Sequence, residues 1–407
     1  MKKLKIPYGE ANFATLREEN YLYVDKSEYI KNLEETARYI FFIRPRRFGK
    51  SLFAKMLEYY YDIYTKDRFD ELFGDLYIGK NPTPEKNQYL ILNFDFSGLV
   101  TTQGEERFYE SFDFYIAGRI NSFIYKYQDL LKTDHLPEKF YKADLAINFL
   151  IDINRKVNLK TYIIIDEYDN FANDLIKPIG RNTPADELDY YKLIKSEGYV
   201  RSFYKILKKF VTESNTRVFM TGVSPIMLDD LASGFNITTN ITVREGFNEM
   251  LGFTNQEVSN ILRQFDIDDA EINRLMKDLH FYYNGYIFSE ESETKLFNSD
   301  MFLYFLQHYQ IDKKYPRQIL DNNVKTDYRK IKTLAFNFKD ERTIEELLEQ
   351  DNISIMQLSD RFQLDEMYKS KDNFKSLLFY LGMLTIKGVN EFGELVLTIP
   401  NYVSKKI

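Results

Sequence analysis

The sequence predicts an α/β fold in which a mostly parallel sheet is covered by helices on both faces. A helical and winged-helix-like α+β region is expected to follow it. Two observations predict the sheet. Up to about residue 250, short apolar runs alternate with longer segments of helical character. Each run is almost continuously β-branched or aromatic, as expected for parallel strands buried on both faces. We therefore expect one domain over residues 1–250 and a second over residues 251–407.

The first region is expected to alternate strands with helices. The strands are predicted at Tyr39–Ile43, Tyr89–Phe94, Tyr162–Ile165 and Val218–Thr221. The helices are predicted at Ser51–Tyr64, Glu105–Leu131, Ala143–Val157 and Tyr199–Ser214. This order favours a doubly wound sheet over a sandwich.

After residue 250 the pattern changes to that of a small α+β unit. A helix is expected over Thr254–Phe265, because Glu257 follows Thr254 at the spacing of a capping box. The pair Asn284–Gly285 lies between aromatic flanks and predicts a tight hairpin turn. The outline of a winged helix, a helix followed by two strands, is expected at Asn373–Leu381, Met383–Lys387 and Leu395–Pro400.

The composition excludes several classes of site. The chain has no Cys, which rules out disulfides, thiolate zinc sites and Cys nucleophiles. Its 3 His residues are widely separated and no G-x-S-x-G motif is present, so we expect neither a His-based metal site nor a Ser–His triad. The net charge of -7 does not suggest a protein that coats nucleic acid. No apolar run is long enough to span a membrane and no signal segment follows the N-terminus, so we expect a cytoplasmic protein.

The strand Tyr39–Ile43 runs directly into Arg44–Ser51, an Arg-Pro-Arg-Arg-Phe-Gly-Lys-Ser segment, and a helix follows. This is the context of a phosphate-binding P-loop, because the loop N–H groups and the helix dipole both face the anion. Gly49 would let the phosphate approach the backbone, Lys50 would reach the β- and γ-phosphates, and Ser51 would ligate magnesium. A chance Gly-Lys-Ser at the start of a helix is the alternative interpretation.

The front of this loop departs from the general P-loop pattern, which begins with Gly. Here that position holds Arg44, and Pro45 after it has no N–H to offer. The cradle is therefore expected to rest on the backbone of residues 47–51, that is Arg47, Phe48, Gly49, Lys50 and Ser51. Positive charge would come from Arg44, Arg46 or Arg47.

A second motif supports the first, because the apolar strand Tyr162–Ile165 ends in Asp166 and Glu167. In P-loop ATPases with this arrangement the acidic strand is expected beside the strand that precedes the loop. Asp166 would then bind Mg²⁺ and Glu167 would orient and polarise the attacking water. Two successive acids point to different faces of a strand, which suits two different roles. Asp169 either supports this site or is a turn residue.

The next strand ends at Thr221, which we expect between the loop and the carboxylates, where its hydroxyl would sense the γ-phosphate. Ser224 is the second candidate for that role. The alternative is that Thr221 only satisfies a carbonyl at the strand end. Arg201, Arg217 and Arg244 are candidates for an arginine finger.

These residues carry a resemblance that extends over most of the chain. The chain resembles the bacterial AAA-ATPase-like family in seven segments: Tyr23–Ser27, Arg44–Ser51, Ile165–Asp169, Thr221–Pro225, Leu251–Thr254, Tyr283–Tyr286 and Leu397–Asn401. The family's own loop begins with Arg-Pro-Arg-Arg-Phe-Gly-Lys-Ser, so the missing glycine is a family trait. The resemblance implies ATP binding at Arg46–Ser51 and hydrolysis that uses Asp166 and Glu167.

Members of that family commonly continue into a nuclease-like domain of the PD-(D/E)xK type, which we do not expect within these 407 residues. The only tolerable acid-x-Lys spacing, Glu293–Lys295, lies in a polar stretch without an apolar strand. Three functional hypotheses stay open. The favoured one is a magnesium-dependent ATPase that moves its C-terminal region. The others are a slowly hydrolysing switch that recruits a partner or self-associates, and a DNA-associated module of a defence or mobile-element system.

Overall fold

A computed structural model describes residues 3–99, 105–132, 139–158, 160–170, 198–225, 237–320, 351–360 and 370–406. The first region contains a five-stranded sheet whose neighbouring strands are all parallel. In chain order its strands are β1 (Tyr39–Ile43), β2 (Leu90–Asp95), β3 (Thr161–Asp166), β4 (Thr216–Gly222) and β5 (Thr239–Asn240). Across the sheet the order is β2-β3-β4-β1-β5. The predicted parallel α/β sheet is confirmed.

Helices of the first region lie on both faces of this sheet, as expected. They are α1 (Phe13–Glu18), α2 (Tyr29–Thr36), α3 (Lys50–Tyr61), α4 (Phe69–Phe73), α5 (Tyr77–Lys80), α6 (Glu105–Lys126), α7 (Gln128–Leu131), α8 (Ala143–Val157) and α9 (Tyr199–Glu213). Phe53 of α3 packs on Phe219 with ring centroids 6.0 Å apart. Phe203 of α9 packs on Phe94 at 5.7 Å. Successive strand residues face opposite sides, so these two contacts place α3 and α9 on opposite faces.

Two predicted helices end earlier than the apolar pattern suggested. The helix expected to reach Tyr64 stops at Tyr61, because Asp62 is extended and its carboxylate accepts the Tyr64 N–H at 3.0 Å. That bond starts a short 3₁₀ helix, Ile63–Arg68. The long helix predicted from residue 105 to residue 131 is divided at Tyr127 into α6 and α7.

The C-terminal region begins with three helices: α10 (Asn255–Gln264), α11 (Asp269–Tyr283) and α12 (Ser299–Asp312). The capping box predicted for α10 is confirmed, since Thr254 and Glu257 each accept the other's backbone N–H. The tight hairpin predicted at Asn284–Gly285 is wrong, because its first aromatic flank is the end of α11. Gly285 has φ +119°, and a Cβ there would lie 2.1 Å from the Pro400 carbonyl oxygen.

The last elements form a second, three-stranded antiparallel sheet with the order β6-β8-β7. Its strands are β6 (Asn352–Ile355), β7 (Thr385–Val389) and β8 (Leu395–Thr398), and the flanking helices are α13 (Lys371–Tyr380) and α14 (Tyr402–Lys405). The predicted order of a helix followed by a hairpin is confirmed for α13, β7 and β8, while a winged-helix unit stays a prediction. Among the helices described, none combines the length and the apolar character needed to cross a membrane.

Candidate functional site

The predicted phosphate loop connects the end of β1 to the start of α3. Gly49 precedes the helix with φ +94°, a left-handed conformation that glycine adopts without strain. Among the described residues, no heavy atom beyond its immediate chain neighbours and its own helix lies within 4 Å of a Cβ built there, and Gly49 lines the cavity described below. The Lys50 ammonium is buried and donates to the carbonyl oxygens of Arg44 at 2.9 Å and Pro45 at 3.0 Å. Burial lowers the pKa of Lys50, opposed by the charge of Asp166.

Arg44 does not supply charge to this loop, so that part of the prediction is wrong. Its fully buried guanidinium donates to the carbonyl oxygens of Thr242 at 2.7 Å and Phe247 at 2.7 Å. It also lies 4.4 Å from the ring centroid of Phe42 and 4.1 Å from that of Phe288. Burial lowers the pKa of Arg44 to about 9. The arginine in the usual glycine position therefore ties the loop to the following chain segments.

Of the next loop residues, Arg46 and Arg47 lie at the cavity and the Phe48 side chain lies in the core. Arg46 and Arg47 line the cavity described below, and Arg47 is ion-paired with Asp300 at 2.7 Å. The Phe48 ring is buried against Tyr286 and Phe288, with centroids 5.0 and 5.3 Å away. Phe48 thus offers only its backbone to the expected cradle, while its side chain anchors the loop.

The acidic pair lies at the end of β3, but β3 is not beside β1. Strand β4 pairs with both of them, so the expected direct neighbourhood is wrong. Asp166 is buried and accepts a hydrogen bond from the Ser51 side chain. Desolvation raises the pKa of Asp166, and the Ser51 bond and the Lys50 charge oppose this shift.

Glu167 adopts a positive φ of 51°, an uncommon conformation for a residue with a side chain. Its side chain lines the same cavity as Lys50 and Ser51. Desolvation raises the pKa of Glu167, and the charge of Lys50 lowers it. The two acids therefore have different environments, with Asp166 enclosed at the strand end and Glu167 facing the cavity.

Strand β4 carries Thr221 into the space between β1 and β3, as predicted. Its buried hydroxyl has no hydrogen-bond partner within the described part of the chain, so it does not satisfy a strand-end carbonyl there. Ser224 instead donates its hydroxyl to Asp169 at 3.0 Å. The Asp169 carboxylate also accepts the N–H groups of Val223 and Ser224. Asp169 therefore fastens the end of β3 to the end of β4, and Ser224 is part of that connection.

Of the three finger candidates, Arg217 is not at this site. It lies near the start of β4, at the end opposite Thr221, and donates to the Tyr89 hydroxyl at 3.1 Å. Arg201 lies in the first turn of α9, and Arg244 precedes a short 3₁₀ helix, Glu245–Met250. No observation assigns either of them to the site.

A cavity of about 550 Å³ adjoins the loop. Its lining includes the polar residues Arg46, Arg47, Lys50, Ser51 and Glu167. It also includes the apolar residues Leu22, Val24, Leu251, Phe253 and Leu303. Tyr23–Ser27 and Leu251–Thr254 were singled out in the sequence without a role, and residues of both segments line the cavity. Asn170 and Asp300 were missed, because neither belongs to a phosphate-loop or acidic-strand pattern.

The oxygen ligands at the loop fit a magnesium ion. The Ser51 hydroxyl and the Asp166 carboxylate are already in contact, and Mg²⁺ prefers such hard oxygen donors. Within the described ranges no group of three or more His, Cys, Asp or Glu residues is arranged to hold a metal. A Mg²⁺ ion at these two residues would therefore complete its coordination with water and phosphate oxygens.

Comparison with known proteins gives one curated relative and two structural neighbours of note. A protein of Azotobacter chroococcum mcd 1, described as an uncharacterized protein in the vnfD 5' region, is 25% identical over 308 residues. The match covers 75% of this chain and 52% of the relative, so the chain spans about half the relative's length.

The structural neighbours are matched over nearly their whole length at low identity. A Walker-type ATPase of Pyrococcus abyssi has a TM-score of 0.48 and 11% identity, covering 94% of this chain and 93% of that one. Cdc6p of Pyrobaculum aerophilum has a TM-score of 0.36 and 10% identity, with 96% and 95% covered.

The family model described as "Predicted AAA-ATPase" matches residues 7–232, more than half of the chain. That span contains the loop, the acidic pair and Thr221. The chain belongs to this AAA-ATPase-like family.

Proposed function

We propose that this chain binds ATP at Arg46–Ser51 and hydrolyses it with Mg²⁺. The observation that carries the proposal is the convergence of Lys50, Ser51 and Glu167 at one cavity, beside the buried Asp166. The two segments that supply them, Lys50–Ser51 and Asp166–Glu167, are far apart in the chain. At about 550 Å³ the cavity has the size of a small-molecule site. Its apolar lining residues suit the base, and its polar lining residues suit the phosphates.

Binding would use the loop backbone and one buried cation. The N–H groups at Arg47, Phe48, Gly49, Lys50 and Ser51 precede or open α3, where the helix dipole favours an anion. The Lys50 ammonium is bonded to loop carbonyl oxygens, which keeps it at the loop before a phosphate arrives. We therefore expect Lys50 to act as a pre-positioned charge.

Hydrolysis would depend on residues of β3 and β4. Ser51 and Asp166 would hold Mg²⁺, which neutralises charge on the phosphate oxygens when it is bound. Glu167 would orient the attacking water and draw on its proton, and a raised pKa makes its carboxylate a better proton acceptor. Thr221 has a buried hydroxyl that donates to no residue in the described ranges, and we expect it to contact the γ-phosphate. These roles are positioning and charge stabilisation.

We further propose that residues 1–250 form the ATPase domain and that residues 251–407 respond to the nucleotide. The support is direct contact, because the C-terminal region packs on the loop itself. Phe48 packs on Phe288, Arg47 pairs with Asp300, and a Cβ at Gly382 would lie 2.8 Å from Pro45. A shift of the loop on binding would therefore be felt by that region.

The test is magnesium-dependent ATP turnover of the wild type beside Glu167→Gln, with retained binding measured separately. Turnover should fall by about two to four orders of magnitude while binding stays, since a general base contributes about that much. Glu35→Gln, a change of an exposed acid, is the matched control and should behave as wild type. Unchanged turnover in Glu167→Gln would contradict the role of Glu167. Tight binding without turnover in the wild type would favour the slowly hydrolysing switch.

A further inference from the structure

The start of α12 is attached to the phosphate loop by a set of polar contacts. Asn298 donates its side-chain amide to the Arg46 carbonyl oxygen at 3.2 Å. The Asp300 N–H donates to the Arg47 carbonyl oxygen at 3.3 Å. The Asp300 carboxylate also accepts from the Arg47 guanidinium at 2.7 Å. Both the backbone and the side chain of Arg47 are thus engaged by one residue of the C-terminal region.

The Arg47–Asp300 ion pair lies where a polyanion is expected to bind. Both residues line the cavity, and their side chains are 28% and 15% exposed, so the pair is in contact with it. Arg47 has φ +68°, a left-handed backbone conformation, and both its carbonyl oxygen and its guanidinium are bonded to Asp300. A carboxylate in this position repels a phosphate and occupies the arginine that would attract it.

We propose that bound nucleotide phosphate takes the Arg47 guanidinium from Asp300 and thereby releases the start of α12 from the loop. The inference rests on the proposed function and adds a coupling residue to it. Asp300 is a positioning residue, since it acts through Arg47 and does not bind the nucleotide.

The packing of α12 connects the loop contacts to the rest of the C-terminal region. Phe302, two residues after Asp300, packs on Phe253 with ring centroids 6.0 Å apart. Phe253 in turn lines the cavity. One turn further, Phe305 packs on Tyr283 of α11 at 6.4 Å. A movement of the first turn of α12 therefore affects both the apolar wall of the cavity and the adjacent helix.

The experiment is equilibrium binding of ATP with Mg²⁺ to the wild type, Asp300→Asn and Asp269→Asn. Asp300→Asn removes the repelling carboxylate and its ion pair with Arg47, so affinity should rise, by roughly two- to fivefold for a partly exposed ion pair. Asp269→Asn removes an Asp–Arg pair, to Arg263 at 3.0 Å, in the same region but outside the cavity lining, and should leave affinity unchanged. A gain confined to Asp300→Asn supports the proposal.

Backbone hydrogen exchange of the first turn of α12 is the second readout. In the wild type, ATP should speed exchange at Asp300, whose N–H is bonded to the loop only in the attached state. In Asp300→Asn that exchange should already be fast without ATP. Unchanged or weaker affinity in Asp300→Asn, with no effect of ATP on exchange, would overturn the coupling while leaving ATP binding intact. Absence of ATP binding to the wild type would instead overturn the proposed function, and the coupling with it.

Discussion

Replacing Arg44 with Met should destabilise the protein severely, even though Arg44 is the first residue of the phosphate-loop motif. The substitution keeps most of the alkyl chain and removes the guanidinium. That group is fully buried and donates to the carbonyl oxygens of Ile43, Thr242 and Phe247 at 2.7 to 2.9 Å. All three acceptors are backbone carbonyl oxygens, and they receive these hydrogen bonds from the arginine alone.

The magnitude follows from what Met would leave behind. Each buried carbonyl oxygen that loses its charged donor lowers the free energy of unfolding by about 1–3 kcal/mol. The faces of Phe42 and Phe288 also lose a cation 4.4 and 4.1 Å away. Relief of the desolvation that lowers the pKa of Arg44 to about 9 offsets part of this loss. We expect a net decrease of about 3–5 kcal/mol in the free energy of unfolding.

The assay is urea unfolding without nucleotide, with Arg46→Met as the matched control. Arg46 lines the cavity and is not fully buried, so its replacement should change stability by less than about 1 kcal/mol. Arg44→Lys should fall between the two, because an ammonium cannot reproduce the planar fork of donors. If Arg44→Met unfolds with the wild type and instead loses nucleotide affinity, Arg44 is a phosphate ligand and its assignment to the core is wrong.

Three further substitutions test the edge of the sheet. Asp166→Asn should stabilise the protein near neutral pH, because the raised pKa of Asp166 means that folding disfavours its charged carboxylate. This advantage should shrink when unfolding is measured at lower pH, towards the ordinary pKa of 3.8, where the carboxyl is protonated in both states. Thr221→Val should raise the free energy of unfolding by about 1 kcal/mol, because it removes a buried hydroxyl that has no hydrogen-bond partner among the described residues. The variant should still lower ATP turnover, and equal turnover would argue against γ-phosphate contact. Gly222→Ala should destabilise by about 1–3 kcal/mol in thermal unfolding, since its Cβ would lie 2.4 Å from Asp169 Oδ1 and from the Tyr168 ring; a wild-type melting curve would contradict the close packing.

The sheet could be predicted well because its strands are recognisable locally. Strands β1 to β4 are apolar runs buried on both faces, and their predicted bounds differ from the observed ones by a few residues at most. Strand β5, with two residues, has no such pattern and was missed. The order of the strands is a long-range property, which explains why β3 was expected beside β1 when β4 lies between them.

The hairpin error at Asn284–Gly285 has a specific cause. An Asn-Gly pair marks a change of chain direction, but the aromatic residues beside it do not show whether the flanking segment is a helix or a strand. In this chain Phe281 to Tyr283 complete α11, and the glycine is needed because the Pro400 carbonyl oxygen is 2.1 Å from its Cβ position. That neighbour is far away in the chain, so the local sequence could not indicate it.

The residues of the candidate site also differ in how well the local sequence predicts them. Lys50, Ser51, Asp166 and Glu167 were found because each occupies a fixed position relative to a strand end, and the fold brings those ends together. Asp300 had no such position, since its place in the cavity depends on how α12 packs on the loop. Arg44 was assigned to the phosphates from its place in the motif, whereas carbonyl acceptors far along the chain, at Thr242 and Phe247, keep it in the core.

The most direct test of the central claim is calorimetric titration of ATP with Mg²⁺ into the wild type and into Lys50→Ala. Circular dichroism and thermal unfolding first establish that the variant is folded. We predict saturable binding of ATP to the wild type. In Lys50→Ala the binding free energy should be weaker by about 2–5 kcal/mol, which is the cost of removing one partner of a buried charge pair. That corresponds to an affinity at least roughly 30-fold weaker. Equal affinity in a folded Lys50→Ala variant would contradict the assignment of Arg46–Ser51 as the phosphate-binding loop.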